Sequence, residues 1–375
     1  MEEQPIRVAQ IIGKWLGGGV ESVVMNYYKH IDRSKIQFDF ICDNDSTNIP
    51  YEEIEKLGGK VILIPPYQKI FKYHNELKKV LKDGNYRIVH SHINTLSVFS
   101  LFAAKCAKVP VRIAHSHSTT NKKEWKKNLI KIILRPLSKM FATNYMSCTE
   151  HAGRWMFGDK EYDKGNVFVL NNAIDIEKFK FDENLRKQKR KELRIDDENV
   201  IIGNVGRFVE QKNHRFIINL FKEINNVNDR VKLLLIGQGP LLNEIKMNVK
   251  KLGLENKVIF AGQRDDINEL YQVMDLFIFP SLYEGLGMAV IEAQVNGIPC
   301  IVSTEVPEVT KITDSINYIS LDETIKVWVD KINEYIVNKN RNLENIDYSN
   351  YDIKKEHIKL TNYYIDCLKN HRRDI

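Results

Sequence analysis

Short runs of β-branched and aromatic residues alternate with longer segments of helical periodicity along the whole chain. This alternation is typical of α/β proteins, in which helices connect the strands of a parallel sheet. Helical patterns such as Val20–His30 and Leu96–Ala107 separate the strands of a first series. The predicted strands of that series are Arg7–Ile12, Phe38–Cys42, Val61–Ile64, Ile88–His90, Val111–His115, Tyr145–Cys148 and Val167–Leu170.

A second α/β series follows a charged stretch. Residues 173–199 are rich in Lys, Arg, Asp and Glu and lack a continuous apolar pattern, so we interpret them as a linker. The strands predicted after it are rich in Val, Ile, Leu and Phe, as expected for a parallel sheet covered on both faces. They are Val200–Val205, Val231–Ile236, Val258–Ala261, Leu276–Pro280 and Cys300–Val302.

The end of the chain predicts one long helix, because Ile353, Leu360, Tyr364 and Cys367 recur at helical spacing. At 375 residues the chain is too long for one ordinary core. We therefore predict an N-terminal α/β domain at 1–172, a C-terminal α/β domain at 200–350 and a closing helix at 351–375. Two doubly wound sheets would place ligands at the carboxyl ends of their strands, in a cleft where the domains face each other.

Composition narrows the functional classes. No apolar run of about 18 residues occurs, and the N-terminus lacks the basic start and apolar stretch of a secretory signal, so we expect a cytoplasmic protein. The five scattered cysteines predict reduced thiols. No CxxC or HExxH motif occurs, and we expect no metal and no cofactor. A net charge of +7 favours anionic partners, among which nucleotides, anionic lipid and nucleic acid all qualify.

Two glutamates follow the strand Leu276–Pro280. In the segment SLYEGLGMAVIEAQVNGIPC, Glu284 precedes a predicted helix and Glu292 lies in its second turn. Their offset of eight residues would span about 12 Å in a helix, which suits a nucleotide sugar better than one small sugar. The alternative is a pair of acidic residues that only answers the helix dipole. Phosphates could bind between the glutamates at the start of the helix, through the amides of Leu286, Gly287 and Met288.

Two cations follow the strand Val200–Val205. The strand ends in Gly206, and Arg207 and Lys212 come just before another predicted helix. Arg can hold two phosphate oxygens while Lys acts as a point charge, so the pair suits a diphosphate. Without a metal, these cations would stabilise a leaving pyrophosphate. A solvated surface pair is the alternative.

Glycines follow the first strand. The strand Arg7–Ile12 leads into Gly13 and then Gly17, Gly18 and Gly19 before a predicted helix, so the backbone can approach a ligand closely there. The run is not the GxGxxG of dinucleotide-binding proteins. A flexible turn without a ligand is the alternative.

Histidines follow two other strands. His117, after the strand Val111–His115, could bind a sugar hydroxyl or stabilise developing charge. A structural, hydrogen-bonded role is the alternative for His117, and it is favoured for His90, His92 and His115. From strand alternation we expect only one residue of each His-Ser-His group to face the ligand.

Taken together, these segments resemble the retaining GT-B glycosyltransferases of family 4, close to the bacterial capsular and exopolysaccharide branch. The resemblance covers nearly the whole chain. It depends on the order and spacing of GGGVE, HSHS, NNAID, NVGRFVEQKNH, LLLIGQGPL and the E-x7-E block. The family usually has Asn-Gly where this chain has Asn171-Asn172.

The resemblance implies a metal-independent enzyme whose two Rossmann-like domains face across a cleft, with the last helix crossing back to the first domain. Glu292 would bind the ribose of a nucleotide sugar, and Glu284 would lie near the transferred sugar. Arg207 and Lys212 would bind the diphosphate. His117 would contact the donor sugar, and the Gly17–Gly19 run would lie beside the phosphates or the acceptor. Retention would proceed by departure and attack on one face through an oxocarbenium-like state.

A basic stripe precedes the strand at Tyr145. Its cations recur every four residues, so that a helix would align them, while apolar residues occupy the intervening face. We interpret the stripe as a surface that docks on anionic lipid at the inner face of the membrane and brings the cleft to a lipid-linked acceptor. The alternative is a solvated face whose apolar side packs on the first sheet. The stripe comprises Lys123, Lys127, Lys131, Arg135 and Lys139.

Competing functions remain. A nucleotide-sugar epimerase or a sugar phosphorylase could use the same fold, since fold alone does not fix chemistry. A nucleic-acid-binding protein would account for the charge but lacks the expected stacking or recognition motifs, and Glu284 and Glu292 would repel phosphate. We favour a UDP-sugar donor and a glycan or lipid-linked acceptor, with no nucleic acid.

Overall fold

A computed structural model describes residues 4–117, 125–338 and 341–373, without side chains at 125–131, 337–338 and 372–373. The chain divides into two compact units, which we call the first and second domains. The second domain is Asp175–Ser349, and the first comprises the chain up to Ile174 together with the segment from Asn350. None of the helices in the described residues is long and apolar enough to cross a membrane.

The first domain is built on a parallel sheet in which the strands have the order β3-β2-β1-β4-β5-β6-β7. This order is that of a doubly wound Rossmann-like fold, with the reversal of direction between β1 and β4. Its strands are β1 Ile6–Gly13, β2 Ile36–Asp43, β3 Lys60–Ile64, β4 Ile88–Ser91, β5 Val111–Ser116, β6 Asn144–Ser147 and β7 Val167–Val169.

Helices cover both faces of this sheet, so the strands carry apolar residues on both sides. Strand β2 is buried throughout, with Phe38 and Phe40 in the core on one face and Ile41 in the core on the other. The helices are α1 Gly19–His30, α2 Tyr51–Lys56, α3 Ile70–Asp83, α4 Ser97–Cys106, α5 Trp125–Phe141, α6 Glu150–Phe157 and α7 Asp159–Asp163, with a short 3₁₀ turn at Asn94–Leu96.

The second domain repeats the architecture, with a parallel sheet of order β10-β9-β8-β11-β12-β13. Its strands are β8 Val200–Val205, β9 Val231–Ile236, β10 Val258–Gly262, β11 Leu276–Phe279, β12 Cys300–Ser303 and β13 Ile316–Ile319. Its helices are α8 Ile176–Phe179, α9 Glu183–Glu192, α10 His214–Val227, α11 Leu242–Lys251, α12 Ile267–Val273, α13 Met288–Val295 and α14 Ile325–Asn338, with 3₁₀ turns at Glu210–Lys212 and Glu308–Thr310.

The stretch interpreted as a linker, 173–199, instead contains the helices α8 and α9. Arg186 of α9 forms an ion pair of 2.5 Å with Asp275, and Arg190 donates to the carbonyl of Val273 at 3.1 Å. The charges of α9 therefore hold it against the segment before β11, and residues from Asp175 onward belong to the second domain.

The last helix, α15 Ile353–Arg373, belongs to the first domain. Ile353, Leu360, Tyr364 and Leu368 lie in the same core as Phe38, and the helix packs against α1. The prediction that the closing helix returns to the N-terminal domain is confirmed, as is the fold of two Rossmann-like α/β domains.

Candidate functional site

Glycines bring the loop after β8 close to the loop after β9. A Cβ atom at Gly206 would lie 3.2 Å from Cγ of Lys212, and one at Gly237 would lie 2.1 Å from the carbonyl oxygen of Gly206. Only glycine allows this approach, because Gly237 also has a φ of +137°. The carboxyl ends of β8 and β9 therefore present backbone, rather than side chains, around Lys212.

Lys212 and Glu284 form the central contact of the second domain's site. The Lys212 ammonium lies 2.5 Å from Oε1 of Glu284, and it also lies 4.5 Å from the ring centre of Phe279. The Lys212 side chain is 17 % exposed and that of Glu284 is 6 % exposed. Gln211 and Asn213 fix the same turn, because their side-chain amides donate to the carbonyls of Tyr283 and Pro280.

The loop from Glu284 leads into α13 through Gly287, which has a φ of +86° and comes directly before the first helical residue, Met288. The first amides of an α-helix have no partner within the helix, so this end suits a negatively charged group. Leu286 and Gly287 are buried. The structure thus places the predicted helix start where the sequence predicts it, one loop away from Glu284.

Glu292 lies in α13 and accepts a hydrogen bond of 2.9 Å from the hydroxyl of Tyr271. The carboxyl group lies deep in the domain, although the residue keeps some solvent access, and burial raises its pKa to about 7 while the Tyr271 hydrogen bond partly opposes the shift. The carboxyl therefore changes charge near neutral pH. Tyr271 was not predicted as a site residue, and no sequence motif marks it.

Arg207 differs from Lys212 in its surroundings. Its side chain is exposed, and within the described parts of the chain we find no ion pair for it. A guanidinium group in this state can bind an incoming anion without first losing a partner. Arg207 and Lys212 thus lie on the same loop, but Lys212 is paired with Glu284 whereas Arg207 has no ion pair among the described residues.

In the first domain, the glycine run folds around Glu21 of α1. The carboxylate of Glu21 accepts a hydrogen bond of 3.0 Å from the amide of Leu16, and a Cβ atom at Gly18 would lie 3.0 Å from the same carboxylate. Gly17 has a φ of +72°. A carboxylate beside the loop disfavours a phosphate there and favours a hydroxyl group. Glu21 was not predicted as a site residue. The sequence feature that could have identified it is its position in the first turn of the predicted helix.

The histidines of β4 and β5 form one buried cluster. His90 lies 2.9 Å from His115 between ring nitrogens, and His92 lies 2.9 Å from His117. Both histidines of each His-Ser-His group thus lie on one face of the sheet, because residues i and i+2 of a strand share a face. Which residue of each group faces the ligand stays a prediction. Ser91 points the other way, to the hydroxyl of Ser100.

Burial keeps the cluster neutral. It lowers the pKa of His117 to about 3 and the pKa values of the other three histidines well below 6.5. Gln10 and Tyr364 extend the cluster, since His92 contacts Gln10 at 2.7 Å and His90 contacts Tyr364 at 2.6 Å. Ligand nitrogens of His90, His92 and His115 all lie within 4.8 Å of one another, which is a geometry that a cation could use.

The basic stripe is only partly described. Lys123 lies outside the described residues, and the side chains of Lys127 and Lys131 are not described. Arg135 lies 5.9 Å from the ring centre of Trp155, and Lys139 donates to the carbonyl of Phe157 at 3.0 Å.

Several apolar residues in the described half of α5 are exposed to solvent. The exposed fraction is 58 % for Ile133, and Ile132 and Met140 are similarly exposed. The described half of α5 therefore presents an apolar surface, rather than a row of free cations.

Comparison with known proteins places these features in a family. Residues 17–178 match the family described as Glycosyltransferase Family 4, and residues 186–351 match the family described as Glycosyl transferases group 1. A Bacillus subtilis (strain 168) protein named as a glycosyltransferase, EpsF, is 35 % identical over 88 % of this chain and 88 % of its own length.

A second relative and a solved structure extend the likeness. The UDP-Gal:alpha-D-GlcNAc-diphosphoundecaprenol alpha-1,3-galactosyltransferase of Escherichia coli is 25 % identical, over 97 % of this chain and 98 % of its own. The crystal structure of Anabaena HepE in complex with UDP and glucose has a TM-score of 0.79 with 17 % identity, over 96 % of this chain and 99 % of that one. At this identity the likeness concerns the fold.

Proposed function

The chain belongs to the family 4 glycosyltransferases, and from this premise we propose that it transfers a sugar from a UDP-sugar, with retention of anomeric configuration, to a glycan or lipid-linked acceptor in capsule or exopolysaccharide synthesis. The observation that carries the proposal is the Lys212–Glu284 pair, held between glycine loops at the carboxyl ends of β8 and β11 and one loop before the start of α13.

Donor binding would divide the second domain's site by chemistry. The diphosphate would bind at Arg207 and Lys212, where positive charge is available, and at the first amides of α13. Glu292 would accept hydrogen bonds from the ribose hydroxyls, for which its carboxylate form is suited. Glu284 would accept a hydrogen bond from the transferred sugar. UDP in the HepE complex and UDP-Gal in the name of the E. coli relative support this donor class.

The ion pair gives the donor site a switch of partners. Before the donor binds, Lys212 and Glu284 neutralise each other. On binding, Lys212 would turn to the diphosphate and Glu284 to a sugar hydroxyl, so that each charge keeps a partner in a largely buried site. Arg207, for which the described residues offer no ion pair, would bring a positive charge without first releasing a partner.

Turnover would then rely on charge stabilisation. Arg207 and Lys212 would offset the negative charge that develops on the leaving UDP, which makes a metal unnecessary. The acceptor hydroxyl would attack from the face that UDP leaves, through an oxocarbenium-like state, and a donor phosphate oxygen would take its proton. Full activity after treatment with EDTA is expected on this mechanism.

The first domain would supply acceptor contacts and a membrane surface. The Glu21 carboxylate beside Gly18 suits an acceptor hydroxyl better than a phosphate.

The exposed apolar residues of α5 would enter the interfacial region of an anionic membrane, with neighbouring cations at its edge. The protein would act from the cytoplasm on a lipid-linked acceptor. The diphosphoundecaprenol in the name of the E. coli relative supports that acceptor class.

The test is a binding and transfer assay with purified protein. Thermal shift against UDP-glucose, UDP-galactose, UDP-N-acetylglucosamine, UDP-N-acetylgalactosamine and GDP-mannose should identify the donor, because a ligand of the folded state raises apparent stability. NMR of the product formed with that donor should show the anomeric configuration of the donor. A changed nucleotide sugar formed without acceptor would identify an epimerase, and a strict need for inorganic phosphate would identify a phosphorylase.

A further inference from the structure

The four histidines at the ends of β4 and β5 form two hydrogen-bonded pairs that share one pair of partners. His90 joins His115, and His92 joins His117. Tyr364 of α15 contacts His90, Gln10 of β1 contacts His92, and the amide nitrogen of Gln10 donates to the Tyr364 hydroxyl at 3.1 Å. The six side chains therefore make one continuous network inside the first domain.

The direction of each hydrogen bond follows from the chemistry of the partners. The Tyr364 hydroxyl accepts from Gln10, so its own proton is free to go to Nδ1 of His90. His90 then carries its proton on Nε2 and donates to Nδ1 of His115, which leaves the His115 proton on Nε2.

The other pair is ordered from the carbonyl of Gln10. That oxygen can only accept, so His92 donates to it from Nε2. Nδ1 of His92 is then an acceptor and receives the proton on Nε2 of His117. All four histidines have the same tautomer, with the proton on Nε2.

The tautomers of the four histidines depend on one another, so they change together. If the Gln10 amide turned over, each hydrogen bond of the network would reverse and all four protons would move to Nδ1. The network thus has two consistent states, and the observed orientation of Gln10 selects the first. A hydrogen-bond network of this kind is stable only when each buried member is satisfied.

The two ends of the network are buried atoms of opposite kind. Nε2 of His115, a donor, and Nδ1 of His117, an acceptor, have no hydrogen-bond partner among the described residues. His115 and His117 are only 2 % and 7 % exposed, and their ring centres are 3.9 Å apart. Both line a cavity of about 10 Å³ together with Asn172, whose Oδ1 is a further buried acceptor without a partner in the described chain.

We propose that Tyr364 and Gln10 hold all four histidines in the Nε2–H tautomer and thereby build a binding site for one hydroxyl group, which receives a hydrogen bond from His115 and donates one to His117. A cavity of this size takes one such oxygen and no more. The hydroxyl can belong to a bound water or to the substrate, and either source needs the same donor and acceptor. Tyr364 is a positioning residue in this scheme, since it acts through His90. The inference concerns the first domain alone and does not depend on the sugar donor.

The first test is the tautomer itself. Long-range ¹H–¹⁵N NMR spectra of the full chain with ¹⁵N-labelled histidine distinguish protonated from bare ring nitrogens. We expect four histidines with protonated Nε2 that do not titrate between pH 5 and 8. Protons on Nδ1, or mixed tautomers in the unaltered chain, would overturn the inference, and this readout does not depend on a variant that folds.

Variants then test the role of Tyr364. Tyr364→Phe removes the donor to His90 and the acceptor of Gln10, so we expect mixed tautomers at the four histidines. Tyr363→Phe is the matched control, because it removes a hydroxyl from the preceding residue of α15, whose ring stacks on Phe168 outside the network. Wild-type tautomers in a folded Tyr364→Phe protein would show that Tyr364 does not order the network.

A titration identifies the source of the hydroxyl. A change at Nδ1 of His117 with UDP-glucose but not with UDP would assign the hydroxyl to the substrate, and Tyr364→Phe should then weaken UDP-glucose binding roughly three- to tenfold, the value of about one neutral hydrogen bond. An exchange signal to water without ligand would assign it to a bound water. A His117 Nδ1 that stays free of hydrogen bonding in both conditions would overturn the site.

A metal is the remaining competitor. Dialysis of the chain against Zn²⁺ or Co²⁺ followed by metal analysis should leave less than one ion per chain at the cluster. One ion per chain, lost in His90→Asn, would overturn the inference, because the metal would take the lone pairs that the network uses. Failure of the proposed glycosyl transfer would appear only in the UDP-glucose arm and in turnover, and would leave the tautomers unchanged.

Discussion

Lys212 and Glu284, 72 positions apart in the chain, meet at 2.5 Å in a largely buried ion pair at the carboxyl end of the second sheet. In a largely buried site each charge needs the other, because removal of one leaves the second charge unpaired and poorly solvated. The pair therefore has a structural role in the free protein in addition to the role that we propose in transfer.

The first prediction separates those roles. Lys212→Met should lower the free energy of unfolding by about 2 kcal/mol, because Glu284 loses its partner. Lys212→Met/Glu284→Gln should recover most of that loss and still turn over at least about 100-fold more slowly than wild type. Urea unfolding and initial rates measure the two effects. Additive losses of stability in the double variant would contradict the coupling of the pair.

The second prediction concerns Glu292 and pH. Because its pKa in the folded protein is raised to about 7, the folded state binds the proton more tightly than the unfolded state does. Its contribution to stability is therefore most favourable below the ordinary value of 4.5 and declines as the pH rises to about 7. Glu292→Gln should be more stable than wild type by about 3 kcal/mol at pH 8, and within about 0.5 kcal/mol of wild type near pH 4.5.

Urea unfolding at both pH values tests this, with the exposed Glu323→Gln as control. The Glu292→Gln protein should also bind the donor more weakly. The Glu292 carboxylate would then lower the stability of the folded protein while it strengthens donor binding. Identical pH profiles of stability for wild type and Glu292→Gln would rule out the raised pKa.

The third prediction concerns Arg207, whose exposed side chain has no ion pair in the described structure. Arg207→Ala should leave the melting temperature within error of wild type and reduce kcat by about 100-fold, the usual effect of removing one group that stabilises transition-state charge. Arg230→Ala, an exposed arginine before β9, is the control and should keep wild-type turnover. Wild-type turnover in a folded Arg207→Ala protein would remove Arg207 from the proposed site.

The fourth prediction concerns the exposed apolar residues of α5. Ile133→Ser/Met140→Ser should reduce sedimentation with anionic vesicles several-fold, because the apolar groups that would enter the interface are lost. Val227→Ser/Met247→Ser removes two apolar groups of the second domain that are at least as exposed, and this variant should sediment like wild type. A further variant, Lys123→Glu/Lys127→Glu/Lys131→Glu, measures the share of charge. Equal sedimentation of all these proteins would refute membrane contact through α5.

The strands illustrate how far local pattern reaches. Buried parallel strands read as continuous apolar runs, and β8 and β9 have the predicted bounds for that reason. Strand β13, Ile316–Ile319, was not predicted, because four residues between polar turns carry little pattern. Helix α9 was interpreted as part of a linker because its charged residues form no continuous apolar pattern. The partner of Arg186 is Asp275, which lies 89 positions away in the chain.

The sites show the same limit. The offset of Glu284 and Glu292 and the glycine run are local, and in the structure both segments follow strands, β11 and β1, as predicted. The Lys212–Glu284 pair and the Tyr271–Glu292 hydrogen bond join segments that are far apart in the chain. Residue spacing within one segment could not predict them. The histidine network is the extreme case, since Gln10 and Tyr364 are 354 positions apart.

The return of α15 to the first domain has a consequence for synthesis on the ribosome. The second domain is one continuous segment and can fold as soon as it emerges, whereas the first domain must wait for a helix that is made after all of the second. Until then, the apolar surface that Ile353, Leu360 and Leu368 cover is open to water. The part of the chain that is translated first is thus completed last.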